Sequence, residues 1–498
     1  MIAPVDLAVL VLYVAGCTAL GGWLGARGGG LKGYFLGESS IPAWAVMISI
    51  VATETSTATF LSVPALSFRP GGDFTYLQLA IGYLIGRVVV ATLLLPAYFE
   101  GQMLTAYEVL NRRFGGATKT TAALLFLVTR TLGDGLRLYL AAVVLRELTG
   151  WPIAVAVGVM GVATIIYTYL GGMRAVIWTD VIQFGVYVAG ALVALGFLLA
   201  RIDGGWAGLV EAGRAAGKFR LFDFRPDPSA PYTFWAGVIG GMVLNTATHG
   251  ADQLMVQRYL SARSRRGAAG ALLASGFVVL AQFALFLLIG VALDAVYRGT
   301  DRASIAPDRA FASFVVNDLP VNVGLIGLIV AAIFAAAMST LSSSLNASAA
   351  ATVNDLIAPR LRHASEARLV RLSKTLTAAW GLAQMGVALQ STRLNTTVVE
   401  AALTIASFTT GLVLGVFLLG RMGPRVGQPE ALAGLLAGLV AVSYAAFGPM
   451  LRDNGFEPLY PWTVAIAWPW YALIGCGTVV LAGVALAGVK ALHLRSQI

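Results

Sequence analysis

Charge is scarce in this sequence. Of its 498 residues only 12% are Asp, Glu, Lys or Arg, about half the roughly 25% of an ordinary soluble domain. Cysteine and histidine are scarcer still, at two and three residues. Cys17 and Cys476 sit far apart in apolar runs, so neither a disulfide framework nor a thiolate metal centre is encoded. No low-complexity segment appears, and no loop is long enough for a soluble domain. What fills the sequence instead is hydrophobic: 58% of residues are apolar or aromatic and the mean hydropathy is +0.80. Apolar runs of about 20 residues match the thickness of a bilayer, so the lipid bilayer is the expected surroundings.

The hydrophobic runs predict an all-α polytopic membrane protein with about thirteen transmembrane helices. They fall near 5–25, 42–67, 75–99, 120–147, 152–170, 175–201, 233–259, 268–296, 321–352, 371–391, 396–420, 430–450 and 464–489. The first, beginning MIAPVDLAVLVLY, has no basic n-region and no small-residue cleavage site, and is expected to be a retained span, not a signal peptide. The 57 glycines suit close packing of membrane helices. The longest loop, 201–232, leaves room for a short surface helix.

The net charge of +10 is distributed as topology. Lys32, Arg112, Arg113, Lys119, Arg263, Arg265, Arg266, Arg368, Arg371 and Lys374 all follow odd-numbered helices. Positive residues in short loops stay in the cytoplasm, which predicts an outside N-terminus and a cytoplasmic C-terminus in the plasma membrane. This arrangement also argues against nucleic acid as a partner. Arg87, Arg130 and Arg137 are left inside predicted helices.

Four stretches place polar groups where hydrocarbon is expected, each at a cost of several kcal/mol if left unpaired. The first is VATETSTATF, 51–60. Its hydroxyl residues are poor helix formers, and Glu54 lies near the midplane of its helix. Either the helix is interrupted and its freed carbonyls coordinate a cation, or it is continuous and the hydroxyls bond back to their own backbone. The second is AAAMSTLSSSLNASAA, 335–350. Its hydroxyls are hard ligands for a sodium-like ion, or glue between close-packed helices. The third is Arg130, Asp134 and Arg137, which share one helix face as a ligand contact or a salt-bridged lock. The fourth is VLNTATHGADQLMVQRYL, 243–260, where Asn245, Thr246, Thr248, His249 and Gly250 interrupt a second helix. The two interrupted helices are the second and seventh, so they cross the membrane in opposite directions. Interrupted helices at matching places in two inverted halves mark a secondary transporter with a midplane site.

Four segments, in order, then resemble the sodium:solute symporter family. They are GGMRAVIWTDVIQ (171–183), GADQLMVQRYLSARS (250–264), STLSSSLNASAAATVNDL (339–356) and GLVLGVFLLG (411–420). The resemblance implies a five-plus-five inverted-repeat, LeuT-like fold with alternating access. Its parts would be a leading helix 5–25, a first repeat 42–201, a second repeat 233–420 and two trailing helices 430–489. It implies import of a small organic solute with sodium, by a chain working as a monomer. The family's sodium site corresponds here to carbonyls of Ala52, Thr55 and Ala336 and hydroxyls of Ser339 and Thr340. A second site found in some members corresponds to Asp180 with Ser339, Ser342 and Ser343. Substrate positions correspond to Glu54, Ser56, Thr59, Gln78, Asn245, Thr248 and Glu400, and Arg130 or Arg137 could meet a carboxylate. The lysine of sugar-carrying relatives has no counterpart; Val279 takes its place, against a galactose-like sugar. Glu54 is expected either to choose the substrate or to pair with Arg87, Arg130 or Arg137. An uncoupled channel would need a continuous polar pore, and an embedded enzyme a nucleophile with its base or metal; neither is visible.

Overall fold

The computed structural model describes residues 2–25, 30–101, 103–301, 305–361, 363–391, 398–423, 426–453, 455 and 465–496. The chain opens with α1 (Pro4–Gly25) and a short α2 (Gly30–Leu36), then the broken helix α3 (Ala43–Glu54) and α4 (Thr57–Phe68). Next come α5 (Leu77–Val89) and α6 (Leu95–Tyr98), joined by a π-turn, α7 (Glu108–Phe114), α8 (Gly116–Thr149) and α9 (Ile153–Leu199). A surface helix α10 (Gly205–Ala215) precedes the second broken helix, α11 (Gly241–Gly250) and α12 (Gln253–Ser261). After it follow α13 (Arg265–Tyr297), α14 (Pro307–Asn317), α15 (Leu325–Ala351), α16 (Glu366–Gln390), α17 (Val398–Arg421), α18 (Gln428–Asp453) and α19 (Tyr471–Ser496).

The thirteen expected spans are all present as helices. α9 supplies two of them, because Gly172 (φ 56°, ψ −156°) breaks it; only glycine takes that backbone region without strain. Among the described residues, seven helices are long and apolar enough to cross a bilayer alone, and the α3–α4 pair, bent by 61°, makes an eighth. The spans that fail a hydropathy test, α8, α11–α12, α16 and α17, either carry the polar residues of the interior or are short as described. Short helices α2, α7 and α14 were not foreseen.

The first break follows from its composition. At Thr55 (φ −80°, ψ 102°) and Ser56 (φ −99°, ψ 172°) the backbone is extended. The Ser56 N–H donates to Thr59 Oγ1 at 3.4 Å rather than to Ala52, four residues back, so the last carbonyls of α3 lose their intrahelical partners. The second break lies at Ala251–Asp252, just after the polar run rather than within it: Asn245 to Gly250 are helical. Asp252 starts α12 by accepting from Leu254 N at 2.9 Å, an ordinary N-cap.

The two broken helices run in opposite directions. The start of α3 and the end of α12 are joined by backbone bonds, Ile41 N to Ser261 O at 3.1 Å and Arg263 N to Ile41 O at 3.3 Å. On the opposite face, the loop before α11 is bonded to the α4–α5 connection through Phe74 N and Arg220 O at 3.1 Å. α15 packs along α9, and α13 along α4 and α3. The α4–α13 contact depends on Gly290, where a Cβ would collide with Pro64 O and Ser67 Oγ, beside the bond from Ser67 Oγ to Leu287 O at 2.6 Å. Gly290→Val is therefore expected to cost at least about 2 kcal/mol by overpacking, read as a lower melting temperature of purified protein. A variant as stable as the parent would contradict this close approach.

Candidate functional site

The first helix break, and residues on both sides of the second, line one interior cavity of about 200 Å³. Glu54, Ser56, Thr59, Arg130, Arg137, Asn245, Thr248 and Thr340 all line it. An aromatic wall that the sequence did not single out closes one end. Tyr76 meets Tyr232 edge-on at 5.4 Å and Phe283 at 5.1 Å, with Tyr83 beyond. Such a wall offers apolar area with polar tips.

Three ionic clusters border the interior. Glu54 pairs with Arg87 of α5, which is completely buried, and His249 Nε2 lies 3.5 Å from the same carboxylate. The other ring nitrogen, Nδ1, is 2.9 Å from Tyr259 OH. Glu54 has thus taken Arg87 among its expected partners. In the second cluster Arg137 pairs with Asp134 and Arg130 lies 3.6 Å from it. Arg130 also reaches Asp252 at 2.5 Å, locking α8 to the break of the second helix. Asp252 was legible only as part of GADQ, with nothing to show which arginine it would meet. Three cations, Arg87, Arg130 and Arg137, therefore stand against three carboxylates, Glu54, Asp134 and Asp252.

The third cluster lies where α3, α9, α12 and α15 meet. Asp180 accepts from Ser49 Oγ at 2.5 Å and from Ser339 Oγ at 2.6 Å. Arg258 Nη2 is 3.2 Å from Oδ2, the oxygen that also accepts from Ser49, whereas Ser339 is on Oδ1, and it also donates to the hydroxyls of Thr53 and Ser343. The Ser342 and Ser343 hydroxyls donate to Ser339 O at 3.1 and 2.7 Å. Among the oxygens matched to a second ion, a guanidinium nitrogen is thus already present.

Of the residues expected to form a sodium site, those of α3 and α15 come together near the break. Thr340 Oγ1 lies 3.1 Å from Thr53 O and 3.3 Å from Ala336 O. Ala52 and Ala336 are fully buried, and Ala52 O is among the carbonyls released by the break. The Thr55 hydroxyl is used locally: it donates to Val51 O at 2.8 Å and receives Gln282 Nε2 at 2.7 Å. This leaves the Thr55 carbonyl as the group relevant to an ion. Ser339 faces Asp180, one helical step from Thr340.

Gln78 is not brought to the cavity. Its amide donates to Thr75 O at 3.0 Å and Tyr232 O at 2.9 Å and accepts from Asp223 N at 3.1 Å, tying the loop before α11 to the start of α5. Position 279, where sugar carriers have lysine, is a buried valine packed with Val51, Ala80 and Phe283. The side chain of Glu400 lies outside the described residues.

Comparison with known proteins agrees with this geometry. The sequence model of the Sodium:solute symporter family matches residues 34–438. The human Sodium/iodide cotransporter is 34% identical over 90% of this chain and 70% of its own. The rabbit (Oryctolagus cuniculus) Sodium-dependent multivitamin transporter is 31% identical over 91% and 71%, and human Sodium-coupled monocarboxylate transporter 1 is 32% identical over 87% and 72%. Among solved structures, a substrate-bound, outward-open Na⁺-coupled sialic acid symporter superposes with TM-score 0.86 at 27% identity, covering 98% of both chains. Mhp1, a nucleobase-cation-symport-1 family transporter in a closed conformation, shares the fold at TM-score 0.56 and 13% identity, over 91% of this chain and 94% of its own.

The Glu54–Arg87 pair yields a test. Arg87→Met leaves Glu54 without its arginine partner and is expected to cost about 3 kcal/mol. Adding Glu54→Gln should recover most of that loss, because the uncompensated charge is gone. Equal melting temperatures for single and double variants would show that the pair is not coupled.

Proposed function

From the premise that the chain belongs to the sodium:solute symporter family, as a sodium-coupled solute symporter with the LeuT-like fold and not an enzyme, we propose that its solute is a small monoanion bearing a carboxylate. The observation that carries this reading is the charge balance of the interior. Three arginines and three carboxylates cancel, so a sodium ion entering the break would bring one uncompensated positive charge. A monoanion beside it restores neutrality in a low-dielectric site, where an unbalanced charge is most costly.

Arg137 supports the same reading. Its side chain keeps 20% exposure and pairs with Asp134 through one nitrogen only, leaving further donors toward the cavity. A guanidinium with free N–H groups suits a carboxylate. Asn245 lines the same space as Ser56, Thr59 and Thr248. The aromatic wall would enclose the organic part of the solute.

The proposed sodium ligands are the carbonyls of Ala52, Thr55 and Ala336 with the hydroxyls of Ser339 and Thr340. An ion there would bind the end of α3 to α15 and hold the break in order, so that solute binds a formed site. A sodium ion and a monoanion crossing together carry no net charge, so the driving force is the sodium concentration gradient. The proposed placement is a plasma membrane with the Arg263–Arg266 face in the cytoplasm, and since the ligands come from a single chain, the proposed unit is the monomer. The repeats are proposed as 42–201 and 233–420.

Uptake into proteoliposomes tests both halves. Ser339→Ala and Thr340→Val should each raise the sodium concentration for half-maximal uptake about tenfold, with folding intact. Unchanged sodium dependence would remove those hydroxyls from the site. Arg137→Gln should raise KM for a carboxylate at least tenfold and leave the sodium dependence in place. Equal uptake of the corresponding neutral amide by the parent protein would overturn the monoanion reading.

A further inference from the structure

A smaller chamber of about 80 Å³ adjoins the site cavity. Arg130, Arg137 and Thr248 line both spaces, so they form the neck between them. The two spaces lie at different depths. On α8 the site cavity reaches no lower than Arg130, whereas the chamber extends to Leu125, about 7.5 Å nearer the start of that helix. On α17 the step is from Ser407 to Thr409 and Val413, toward the helix end. The start of α8 and the end of α17 share one side, where Arg113 Nε of α7 donates to Gly420 O at 3.0 Å. By the run of α3 to α6 it is also the side on which α3 begins and α12 ends. Ala251 and Asp252, the residues of the second break, line this lower chamber. Its floor includes the buried Tyr107. The segment before it is held by Ala106 N to Gln253 Oε1 and Thr105 Oγ1 to Asp355 Oδ1, each at 2.7 Å.

The chamber has the chemistry of a carboxylate pocket. Its lining carries two guanidiniums and one carboxylate, Asp252; Asp134 is 2% exposed and lines neither space. Arg130 Nη2 is 2.5 Å from Asp252 and Arg137 pairs with Asp134 through Nη1, so each guanidinium keeps further N–H groups at the neck. Thr129 Oγ1 donates to Thr409 Oγ1 at 2.9 Å on the wall, and Phe126 and Val413 supply apolar area. We propose that this chamber is a second solute subsite on the release side, which a carboxylate enters by passing from Arg137 to Arg130. The inference rests on the carboxylate reading and on the side assigned to the cytoplasm. Two arginines facing both spaces keep a monoanion beside positive charge throughout its passage, where an unpaired charge is most costly. A carboxylate arriving at Arg130 competes with Asp252, the N-cap of α12, so its arrival loosens α12 from α8.

Cysteine labelling tests the subsite. Thr409→Cys, with Cys17→Ala and Cys476→Ala, places a single thiol in the chamber. Vesicles of known sidedness, in sodium-free medium, receive either the anionic sulfonatoethyl or the cationic trimethylammonioethyl methanethiosulfonate. Each rate is divided by that with free 2-mercaptoethanol. Modification is expected from the Arg263–Arg266 side, with the anionic reagent about threefold ahead and slowed about threefold by excess propionate, but not by propionamide. Arg130→Gln with Asp252→Asn, a neutral replacement of the pair, should remove the protection by propionate. Modification of denatured protein only, modification from the opposite side alone, equal normalised rates, or no protection by propionate would each overturn the subsite. Val413→Cys, on the same wall, gives the reading if Thr409→Cys does not fold. Sodium-dependent carboxylate uptake by the parent protein separates the two proposals. Its absence would remove the monoanion reading and this subsite together, whereas uptake with an unprotected thiol would remove the subsite alone.

Discussion

A charged side chain in hydrocarbon must find its opposite within the protein, because no water is there to solvate it. The interior of this bundle is organised by that requirement. Glu54 with Arg87, Asp134 and Asp252 with Arg130 and Arg137, and Asp180 with Arg258 form three neutral clusters. Two of them connect different helices at the breaks, and the third gathers four helices on one side of the cavity. The clusters are specificity devices more than sources of stability: burying an ion pair gains little net free energy, but separating its partners costs several kcal/mol. Rearrangement of such a bundle must therefore move paired groups together or exchange one partner for another, and a sodium ion is a partner that can be exchanged.

The breaks serve the same economy from the backbone side. Extended residues at Thr55, Ser56 and Asp252 free carbonyls and N–H groups at mid-depth, where every unpaired group is expensive. Some are satisfied locally, as by Thr59 at Ser56 and by Asp252 at Leu254. The Ala52 carbonyl is not offered its usual N–H, and the next one, of Thr53, accepts from Thr340 of α15 at 3.1 Å. A small cation with hard-oxygen preference is suited to such a place. The polar spans α8 and α11–α12, which hydropathy alone would not pass, both contribute to the wall of the cavity.

Much of the site was legible because its residues are chemically out of place in their own segments. Glu54 among threonines, the serine run 339–344 and the arginines of α8 each violate the apolar pattern, and each borders the cavity or its flanking ion cluster. Gln78 shows where that logic fails. A buried glutamine looks the same in sequence whether it meets a solute or, as here, bonds Thr75, Tyr232 and Asp223 of a neighbouring loop. Tyr76, Tyr83, Tyr232 and Phe283 fail in the opposite sense: aromatics are ordinary in a membrane helix, so nothing in their local context marks them as a wall.

The sequence by itself determined the helical, lipid-embedded architecture, the two spans polar enough to be interrupted and the opposed directions of those spans. These depend on local composition and on the parity of spans, both of which are properties of the chain in one dimension. Only the tertiary structure decided the pairing. Arg87 rather than Arg130 meets Glu54, Asp252 rather than Asp134 alone balances the α8 arginines, and Arg258 rather than open space faces Asp180. Ion pairs act over a few ångströms between groups dozens to more than a hundred residues apart. Partner choice is therefore fixed by helix packing and by the register of the two breaks, neither of which is written at any single position.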